Sequence, residues 1–428
     1  MRILQIASGD FFSTYGGGQV YVKNIVDHFI NKGEDICIIS FVNISTPIKK
    51  DYQNKVLYEV PESIKEDELK VIIQSLEPDI IHTHSKKDIS CRIGNKLNIP
   101  VIVTAHHGGI LCPAGALLNN RDQICYKRAS HQDCLPCVLR NTRTGLSFWY
   151  PLMKHIPKNK YLKLGTFLSN HKFIPFITPI GYGALHIQNK LNQWNDIINK
   201  ADILIAPSKA VAEIMKINGA SEDNIRIVPH GIPTILTKSG IPTSNGRRIC
   251  FFYIGRICYI KGIHVLLKAF HSIIHQDIEL HLIGSSGNKS ENRYLRKLQD
   301  KYKKDSRIIW HGKLDHNRLF HLIENFHILI APTICMEIFG LNIAESLAQG
   351  KPVLATRCGG AEMQIQDGIN GWLIEPNDSE QLKTKIEEII DNLSILPKMS
   401  KNCSAVSISE HYDSLMKIYK ETINKATT

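Results

Sequence analysis

The sequence predicts an α/β fold built as two domains, and three observations support this prediction. Short apolar segments alternate with amphipathic helical segments along most of the chain, as in proteins with parallel sheets. A length of 428 residues fits two domains better than one. A polar, turn-rich stretch at about 235–246 separates two such series of segments and marks a domain boundary.

The segment 327–356 shows the strand–helix–strand pattern most clearly. The apolar run His327–Pro332 predicts a buried parallel strand, and Gly350-Lys351-Pro352 stops the helix that follows. Val353–Thr356 predicts the next strand. Glu337 therefore falls in the loop at the carboxyl end of a strand, which is where open α/β sheets bind their ligands.

This unit has the features of a nucleotide-sugar site. Phe339, Gly340 and Leu341 open the helix, and its free N–H groups and dipole suit a phosphate. Glu345 lies about one turn further on, where a carboxylate can accept hydrogen bonds from a ribose diol. Two carboxylates around an anion cradle predict a ligand with a phosphate in the middle and a sugar at each end. The alternative is a solvated pair of surface glutamates.

The stretch Glu337–Glu345 resembles the E-x7-E motif of retaining glycosyltransferases of family 4, and similar residues continue at Gly359–Glu362, Asp367–Gly371 and Glu375–Asp378. The resemblance implies the GT-B fold, with two Rossmann-like domains facing a deep cleft. It implies transfer of a sugar from a UDP- or GDP-linked donor to an acceptor hydroxyl with retention of configuration, and no cofactor required for catalysis. It also implies a role in bacterial cell-surface polysaccharide or glycan synthesis.

Two alternatives to this function stay open. One is a sugar phosphorylase or synthase on the same fold, and the other is an inactive nucleotide-sugar-binding protein. The expected domains are residues 1–235 on the acceptor side, residues 246–408 for donor binding, and a C-terminal helix, 409–428, that packs back on the first domain. An irregular insert, rich in cysteine and then in basic and aromatic residues, is expected at about 110–195.

The first domain contributes two candidate groups. Gly16, Gly17 and Gly18 follow the first strand without a GxGxxG fingerprint, and consecutive glycines let a ligand approach the backbone closely. The resemblance implies that they face the donor phosphates and the acceptor. Thr104-Ala105-His106 ends a later strand, and the resemblance implies that His106 points at the donor sugar. The alternative is a histidine satisfied at a strand end.

The second domain contributes two candidate cations. Gly255-Arg256 and Lys261-Gly262 follow the strand Ile249–Ile254 and resemble the family pattern G-R-x4-K-G. Cations at the carboxyl end of a strand would neutralise a leaving pyrophosphate. Gly284 ends the next strand, and its turn resembles the nucleotide-side loop of the family.

Four cysteines lie within the irregular insert: Cys112, Cys125, Cys134 and Cys137. The Cys134–Cys137 pair has the spacing of a zinc or iron–sulfur ligand pair. Structural zinc is therefore one reading of this cluster. Reduced, unligated thiols and a redox or disulfide role are the others.

The charge of the chain bears on its partners. The net charge is +12, which suits an anionic substrate or an anionic membrane surface, and no nucleic-acid motif appears. Basic and aromatic residues alternate over 138–194. Peripheral membrane contact is one interpretation of this segment, and an ordinary solvated insert is the other. The chain opens on a strand rather than a leader and has no long apolar run, and we expect a cytoplasmic protein.

Overall fold

The computed structural model describes residues 1–9, 16–141, 157, 159, 160, 163, 167, 178–233, 240–242 and 248–427. The chain forms two compact units. The first comprises Met1–Arg121, Cys125–Gly231 and Ile408–Thr428, and the second comprises Asp122–Ile124 and Ile232–Ser407. Both are built on sheets of mainly parallel strands with helices between them, so the predicted α/β class is confirmed. Most of the predicted linker, at 234–239 and 243–247, lies outside the described residues.

The first unit holds an eight-stranded sheet in the order β3-β4-β2-β1-β5-β6-β7-β8. Its strands are β1 (Arg2–Ser8), β2 (Asp35–Val42), β3 (Ile48–Tyr52), β4 (Lys55–Pro61), β5 (Ile80–Thr83), β6 (Val101–Thr104), β7 (Ile203–Ala206) and β8 (Ile225–Ile227). Its helices are α1 (Gly17–Asn31), α2 (Glu66–Ser75), α3 (Lys87–Leu97), α4 (His131–Asn141), α5 (Thr178–Lys200), α6 (Lys209–Ile217) and the C-terminal α14 (Ile408–Thr427).

The antiparallel hairpin of β3 and β4 forms one edge of this sheet, and the sequence patterns did not reveal it. Gln53 and Asn54 form its two-residue turn with φ of 53° and 63°. Positive φ at both positions matches the right-handed twist of a hairpin. The turn lacks the Asn-Gly or Asp-Gly pair that signals such hairpins, and β3 is mostly exposed and polar, so its pattern is weak.

The segment at about 110–195, where an irregular insert is expected, contains the helix α4 and most of the helix α5. The two helices bury a shared apolar cluster of Leu135, Val138, Leu139, Ala184 and Ile187. The spacings within each helix are those of one helical face, which explains why the segments fold as helices. Cys134 and Cys137 therefore lie three residues apart on the first turns of α4 rather than in a loop.

The second unit holds a six-stranded, fully parallel sheet in the order β11-β10-β9-β12-β13-β14. Its strands are β9 (Ile249–Ile254), β10 (Ile278–Ile283), β11 (Ile308–Gly312), β12 (Ile328–Ala331), β13 (Val353–Thr356) and β14 (Gly371–Ile374). Its helices are α7 (Ile263–His271), α8 (Lys289–Tyr302), α9 (His316–Glu324), α10 (Leu341–Ala348), α11 (Gly360–Gln364), α12 (Ser379–Asp391) and α13 (Leu396–Asn402).

The strand order of each sheet reverses at one point, and such a point forms a ligand crevice at the carboxyl ends of the strands. In the first unit the reversal lies between β1 and β5, and in the second it lies between β9 and β12. These strands are mostly buried, as expected for parallel strands covered on both faces, and β1 and β5 carry the buried polar residues Gln5 and His82. The candidate residues predicted from sequence follow these strands or their neighbours.

The C-terminal helix α14 belongs to the first unit, where it packs on α1. Tyr21 and His411 are joined by a 2.7 Å hydrogen bond, and the rings of Phe29 and Tyr419 stack at 6.0 Å. This packing brings the end of the chain beside its first strand. Among the described helices, none combines the length and apolar character that a membrane span requires.

Candidate active site

In the second unit, a close approach of two loops positions Lys261 at the switch point. Gly262 has φ of +70° and ends the turn that carries Lys261. A Cβ at this position would lie 1.8 Å from the carbonyl oxygen of Pro332, at the end of β12. Only glycine fits there, so the loop after β9 can rest directly against the loop after β12.

Lys261 and Glu337 form an ion pair at this point. Lys261 Nζ donates to Glu337 Oε2 at 2.5 Å, and Thr333 Oγ1 donates to the same oxygen at 3.3 Å. Burial opposes the charge on the Lys261 amine, but the attraction of the Glu337 carboxylate raises its pKa above the usual value. Lys261 therefore stays cationic at neutral pH, and the pair is partly shielded from solvent, with side-chain exposures of 25% and 17%.

The backbone of Glu337 is fixed as well. Its N–H donates to the Cys358 carbonyl at 2.9 Å, and its carbonyl accepts from Gly360 N–H at 2.8 Å. These bonds tie the loop after β12 to the loop after β13. The carboxylate therefore projects from a rigid support, as a group that must orient a substrate requires.

The helix α10 begins beside Glu337. Gly340 is its N-cap residue, with φ of 88°, and no side chain caps the helix. Phe339 precedes it, and Gln364 Nε2 donates to the Phe339 carbonyl and, at 3.1 Å, to the Gly360 carbonyl. Leu341 is the first helical residue, as predicted to within one position. The N-terminus of α10 thus offers backbone N–H groups and a positive dipole end to an anion.

Glu345 lies in the second turn of α10 and is half-buried. Its carboxyl group has no hydrogen-bond or ion-pair partner among the residues that the structure describes. Burial raises its pKa to about 7. An unpaired, desolvated carboxylate is costly, so this site favours a ligand that donates hydrogen bonds.

Gly255 and Gly284 lie at the ends of the adjacent strands β9 and β10. A Cβ on Gly284 would lie 1.8 Å from the Gly255 carbonyl oxygen, so these two turns also touch. Arg256 follows Gly255 with its side chain 53% exposed, and its guanidinium lies 3.8 Å from Glu291. Burial opposes its charge, whereas Cys258 and Glu291 raise its pKa. The sequence analysis missed Glu291, whose place in the first turn of α8 was its only signal.

In the first unit, His106 follows β6 and lies beside the start of α1. A Cβ added to Gly18 would lie 3.3 Å from His106 Cβ. Gly16 is the N-cap of α1, and Gly17 and Gly18 form its first turn, so the predicted glycine loop is partly helical. The preceding residues 10–15 lie outside the described part of the chain.

A chain of hydrogen bonds connects His106 to the interior of the first unit. His106 Nε2 and His84 Nδ1 are 2.6 Å apart, and His84 Nε2 lies 2.9 Å from Gln5 Oε1. Gln5 Nε2 donates to Tyr419 Oη at 3.3 Å, and that hydroxyl lies 2.6 Å from His82 Nδ1. We call these five residues the histidine relay.

The relay fixes the tautomers of its histidines. Because Gln5 Nε2 donates to Tyr419, its Oε1 accepts the Nε2–H of His84. A neutral His84 then presents Nδ1 as an acceptor, so His106 must carry its proton on Nε2. His106 Nδ1 is buried and has no hydrogen-bond partner in the described part of the chain. It is therefore an acceptor whose hydrogen-bonding capacity the described residues do not satisfy.

Burial and neighbouring positive charge keep this histidine neutral. Burial lowers the pKa of His106 well below its usual value, and His84, His230 and Lys87 lower it further. Burial is also the main cause that lowers the pKa of His84. Of these residues only His106 was predicted from the sequence, and Gln5 and Tyr419 are 414 residues apart along the chain.

The four clustered cysteines converge in the first unit as reduced thiols. Burial first, and then electrostatic interaction with the other three thiols, raises the pKa of Cys134 to about 12. Cys137 interacts in the same way with Cys112 and Cys125. Their sulfur atoms are not within mutual ligand distance, so the predicted metal site stays a prediction.

Among the described residues, potential metal-ligand atoms of three side chains all lie within 4.8 Å of one another. These residues are Cys250, Glu279 and His281. Glu279 already accepts from Arg248 at 2.8 Å and lies 3.2 Å from His281 Nε2. His281 Nδ1 also lies 2.9 Å from His311 Nε2. These protein contacts account for the group without a metal. Most of the basic and aromatic segment, 142–156 and most of 158–177, lies outside the described residues.

Much of the second unit is similar in sequence to known glycosyltransferases. Residues 235–405 match the family model described as "Glycosyl transferases group 1". The chain is 24% identical over 258 residues to the D-inositol 3-phosphate glycosyltransferase of Acidothermus cellulolyticus. This alignment covers 54% of this chain and 57% of that protein. It is 29% identical over 200 residues to the sucrose synthase of Melioribacter roseus, covering 42% of this chain and 25% of that protein.

The alignments thus span about half the length of the first of these relatives. Over nearly the whole chain, the fold matches GT-B structures. Anabaena HepE in complex with UDP aligns with a TM-score of 0.66 at 15% identity, over 98% of this chain and 100% of that one. Sucrose-phosphate synthase from Thermosynechococcus elongatus aligns with a TM-score of 0.68 at 17% identity, over 99% of each chain. The predicted GT-B fold is confirmed.

Proposed function

We propose that this chain is a glycosyltransferase of the retaining family 4 type, which moves a sugar from a nucleotide-sugar donor to an acceptor hydroxyl. The observation that carries the proposal is the Lys261–Glu337 pair beside the uncapped N-terminus of α10. It places a cation, a hydrogen-bonding carboxylate and free N–H groups at one switch point. The match of residues 235–405 to group 1 glycosyltransferases supports the same reading.

The second unit would hold the donor. The diphosphate would sit on the N–H groups that open α10, between Lys261 and Arg256. Glu337 would accept hydrogen bonds from hydroxyls of the transferred sugar, and Glu345 would accept them from the ribose. Arg256 can reach the diphosphate by leaving Glu291, because that pair is long and half-exposed and so holds the guanidinium weakly. HepE crystallised with UDP, and with UDP and glucose, which supports a UDP-linked donor here.

The reaction breaks the bond between the anomeric carbon and the diphosphate oxygen, and the electron pair leaves with the diphosphate. The acceptor oxygen bonds to the same carbon from the same face, and its proton passes to the departing phosphate. Lys261 and Arg256 stabilise the negative charge that develops, which is the usual role of such cations. Glu337 is bound to Lys261 and Thr333, which makes it a positioning group rather than a nucleophile.

His106 of the first unit would bind a hydroxyl of the sugar substrate. Its Nδ1 can accept a hydrogen bond from a hydroxyl of the transferred sugar, and the histidine relay holds it in that tautomer. A neutral acceptor adds no positive charge next to a transition state of oxocarbenium character. This role follows from the relay geometry and from the resemblance of Thr104-Ala105-His106 to the family.

The test is incubation of the purified chain with UDP-, GDP- and ADP-linked hexoses, without acceptor at first. Slow release of one nucleoside diphosphate identifies the donor, and competition by free nucleotides identifies the base. The anomeric configuration of a transfer product, read by NMR, must match the donor. Inversion would contradict retention, and binding of a nucleotide sugar without any turnover would favour an inactive binding protein.

A synthase on the same fold is the second candidate, favoured by the similarity to sucrose synthase. Such an enzyme also runs backwards, forming nucleotide sugar from UDP and a disaccharide. Incubation with UDP and sucrose separates the candidates. Formation of UDP-glucose would favour the synthase, and its absence together with donor hydrolysis would favour a transferase with another acceptor.

We further propose a cytoplasmic enzyme of cell-surface glycan synthesis with weak contact to anionic membranes. The net charge of +12 and the basic and aromatic residues of 138–194 support it. Co-sedimentation with anionic and neutral vesicles at two salt concentrations tests the contact. Binding should require anionic lipid and weaken at high salt, and protein that stays in the supernatant at low salt would exclude it.

A further inference from the structure

The turn that opens α10 carries unpaired backbone donors. The first N–H groups of an α-helix have no partner within the helix. In the described part of the chain, no hydrogen-bond partner is found for the N–H groups of Gly340, Leu341 and Asn342. Helices commonly satisfy such groups with a capping side chain, which accepts one of these hydrogen bonds. Gly340 has no side chain, so this helix keeps its donors free.

Gln364 holds this turn from its carbonyl side. It is the last residue of α11 and is half-buried. Its Nε2 donates to the Phe339 carbonyl and to the Gly360 carbonyl at 3.1 Å, and it lies 3.5 Å from the Gly340 carbonyl. An amide nitrogen carries two N–H groups, so the two nearer carbonyls use its donor capacity. None of these contacts occupies an N–H group of the turn.

The bond to Phe339 also sets the direction of a neighbouring donor. The peptide between Phe339 and Gly340 is planar and trans, so its C=O and N–H groups point in opposite directions. Because Gln364 holds the Phe339 carbonyl on the side of α11, the Gly340 N–H points away from that helix. Rotation of this peptide would break the bond to Gln364.

Two further contacts hold the start of α10. A Cβ on Gly360 would lie 2.4 Å from the Phe339 carbonyl oxygen, so the first residue of α11 also packs directly on this turn. Asn342 Nδ2 donates to the carbonyl of Ile254, the last residue of β9, at 3.0 Å. The start of the helix is therefore fixed from α11 and from β9.

We propose that Gln364 is a positioning residue for the diphosphate of the donor. By holding the Phe339 carbonyl it aims the Gly340 N–H, and it leaves the N–H groups of Leu341 and Asn342 available to phosphate oxygens. The inference rests on the proposed function, which supplies the diphosphate. It goes beyond that function because Gln364 lies outside the Glu337–Glu345 motif and acts only through the backbone of the turn.

The experiment compares the full wild-type chain with Gln364→Met, in which the side chain keeps a similar length but loses its N–H donors. Gln366→Met is the matched control, because Gln366 is exposed two residues further on and only its backbone makes hydrogen bonds in the described part of the chain. Calorimetry measures the affinity for UDP. Ligand-observed NMR measures the affinity for uridine, which lacks the diphosphate.

UDP should bind Gln364→Met about tenfold more weakly than wild type, a loss on the scale of one hydrogen bond. The affinity for uridine should stay unchanged, because uridine has no phosphate to bind at this turn. Gln366→Met should bind both compounds as wild type does.

Gln364→Glu adds a readout that lost packing would not move. A carboxyl group has one O–H donor when it is protonated and none when it is ionised. The bond to the Phe339 carbonyl can therefore form only at low pH. UDP affinity of this variant, divided by that of wild type at the same pH, should fall as pH rises.

An affinity for UDP near wild type in Gln364→Met would overturn the proposal. So would an equal loss for uridine, or an equal loss in Gln366→Met. If Gln364→Met does not fold, a ratio in Gln364→Glu that is independent of pH would overturn it. A wild-type protein that binds no nucleotide would instead count against the proposed function. Pyrophosphate binding would then decide the role of Gln364: a tenfold loss in Gln364→Met supports it, and equal binding or none in wild type overturns it.

Discussion

His84 Nδ1 accepts the Nε2–H of His106 across 2.6 Å, and this bond leaves Nδ1 of His106 as a buried acceptor without a partner among the described residues. The tautomer is set from a distance. Gln5 lies on the first strand and Tyr419 on the last helix, and their hydrogen bond orients the amide that orients His84. Three hydrogen bonds thus connect Tyr419, near the end of the chain, with the candidate catalytic residue His106 through Gln5 and His84.

Gln5→Leu should lower kcat about tenfold or more, with little change in donor KM. The substitution removes the acceptor of His84 Nε2–H, so His84 no longer dictates the tautomer of His106. Gln5→Glu is the matched control, because a carboxylate still accepts from His84 and should keep most of the activity. Nitrogen-15 NMR of the His106 ring provides a readout that a merely structural role would not move. An unchanged Nε2–H tautomer in an inactive Gln5→Leu protein would contradict the relay.

The stability of the ligand-free protein should fall as pH rises from about 4 to about 7. The pKa of Glu345 is raised by burial to about 7, against about 4.3 in an unfolded chain. Ionisation therefore costs more in the folded state, and the loss occurs between these two values. Denaturant unfolding at several pH values, compared between wild type and Glu345→Gln, isolates this contribution. Equal pH dependence in both proteins would remove Glu345 as its source.

Donor binding should reverse that cost. Ribose hydroxyls that donate to Glu345 favour its ionised form, so binding should release a proton near neutral pH. Affinity for a nucleotide sugar should rise with pH up to about 7 and then level off. Calorimetry in buffers of different ionisation enthalpy counts the protons. Glu345→Gln should bind more weakly, with a flat profile, and a wild-type profile in this variant would place the ribose elsewhere.

Lys261→Ala and Arg256→Ala should each reduce kcat/KM by about 2–4 kcal/mol of transition-state stabilisation, the usual scale for a preorganised group facing developing charge. Lys261→Ala should be the more severe, because it also leaves Glu337 without its cation. Glu291→Gln is informative for Arg256: it frees the guanidinium and should preserve or improve kcat/KM. Wild-type kcat/KM in either alanine variant would remove that residue from the leaving-group site.

Protein purified without a metal-affinity tag should contain about one zinc per chain, bound by Cys112, Cys125, Cys134 and Cys137. Burial raises the thiol pKa values of Cys125, Cys134 and Cys137 in the metal-free protein, to about 12 for Cys134 and about 11 for Cys137. Zinc binding should therefore release protons and weaken steeply at acidic pH. Elemental analysis gives the stoichiometry, with Cys134→Ser and Cys137→Ser as matched losses. Four titratable thiols and no bound metal would contradict the prediction of a zinc site.

The sequence was most informative where side chains follow parallel strands. Lys261 and Glu337 come after β9 and β12, and adjacent parallel strands bring their carboxyl ends together, so their meeting could be expected. The motif at Glu337–Glu345 also follows β12, and it correctly predicted the position of the helix α10. In the first unit, Gly18 and His106 follow β1 and β6, which lie on either side of β5 in the same sheet, so both residues are expected at the same edge of that sheet.

Contacts between segments that are distant along the chain could not be predicted from the sequence. Nothing in the local patterns around Gln5 or Tyr419 indicates that they share a hydrogen bond, because α14 must first pack on α1. The pairing of Arg256 with Glu291 depends likewise on how α8 leaves β10. Neither α4 nor α5 was predicted, and α4 carries a proline, Pro136, within the helix.

The central claim is that Glu337 orients the transferred sugar and Glu345 holds the nucleotide. Steady-state kinetics with the identified donor, combined with calorimetry of UDP, tests it in Glu337→Ala and Glu345→Ala. Glu337→Ala should lower kcat by about a hundredfold or more, while its affinity for UDP should change little. Glu345→Ala should instead weaken UDP binding and raise donor KM, with a smaller effect on kcat. Equal changes in kcat and KM in both variants would contradict the assignment.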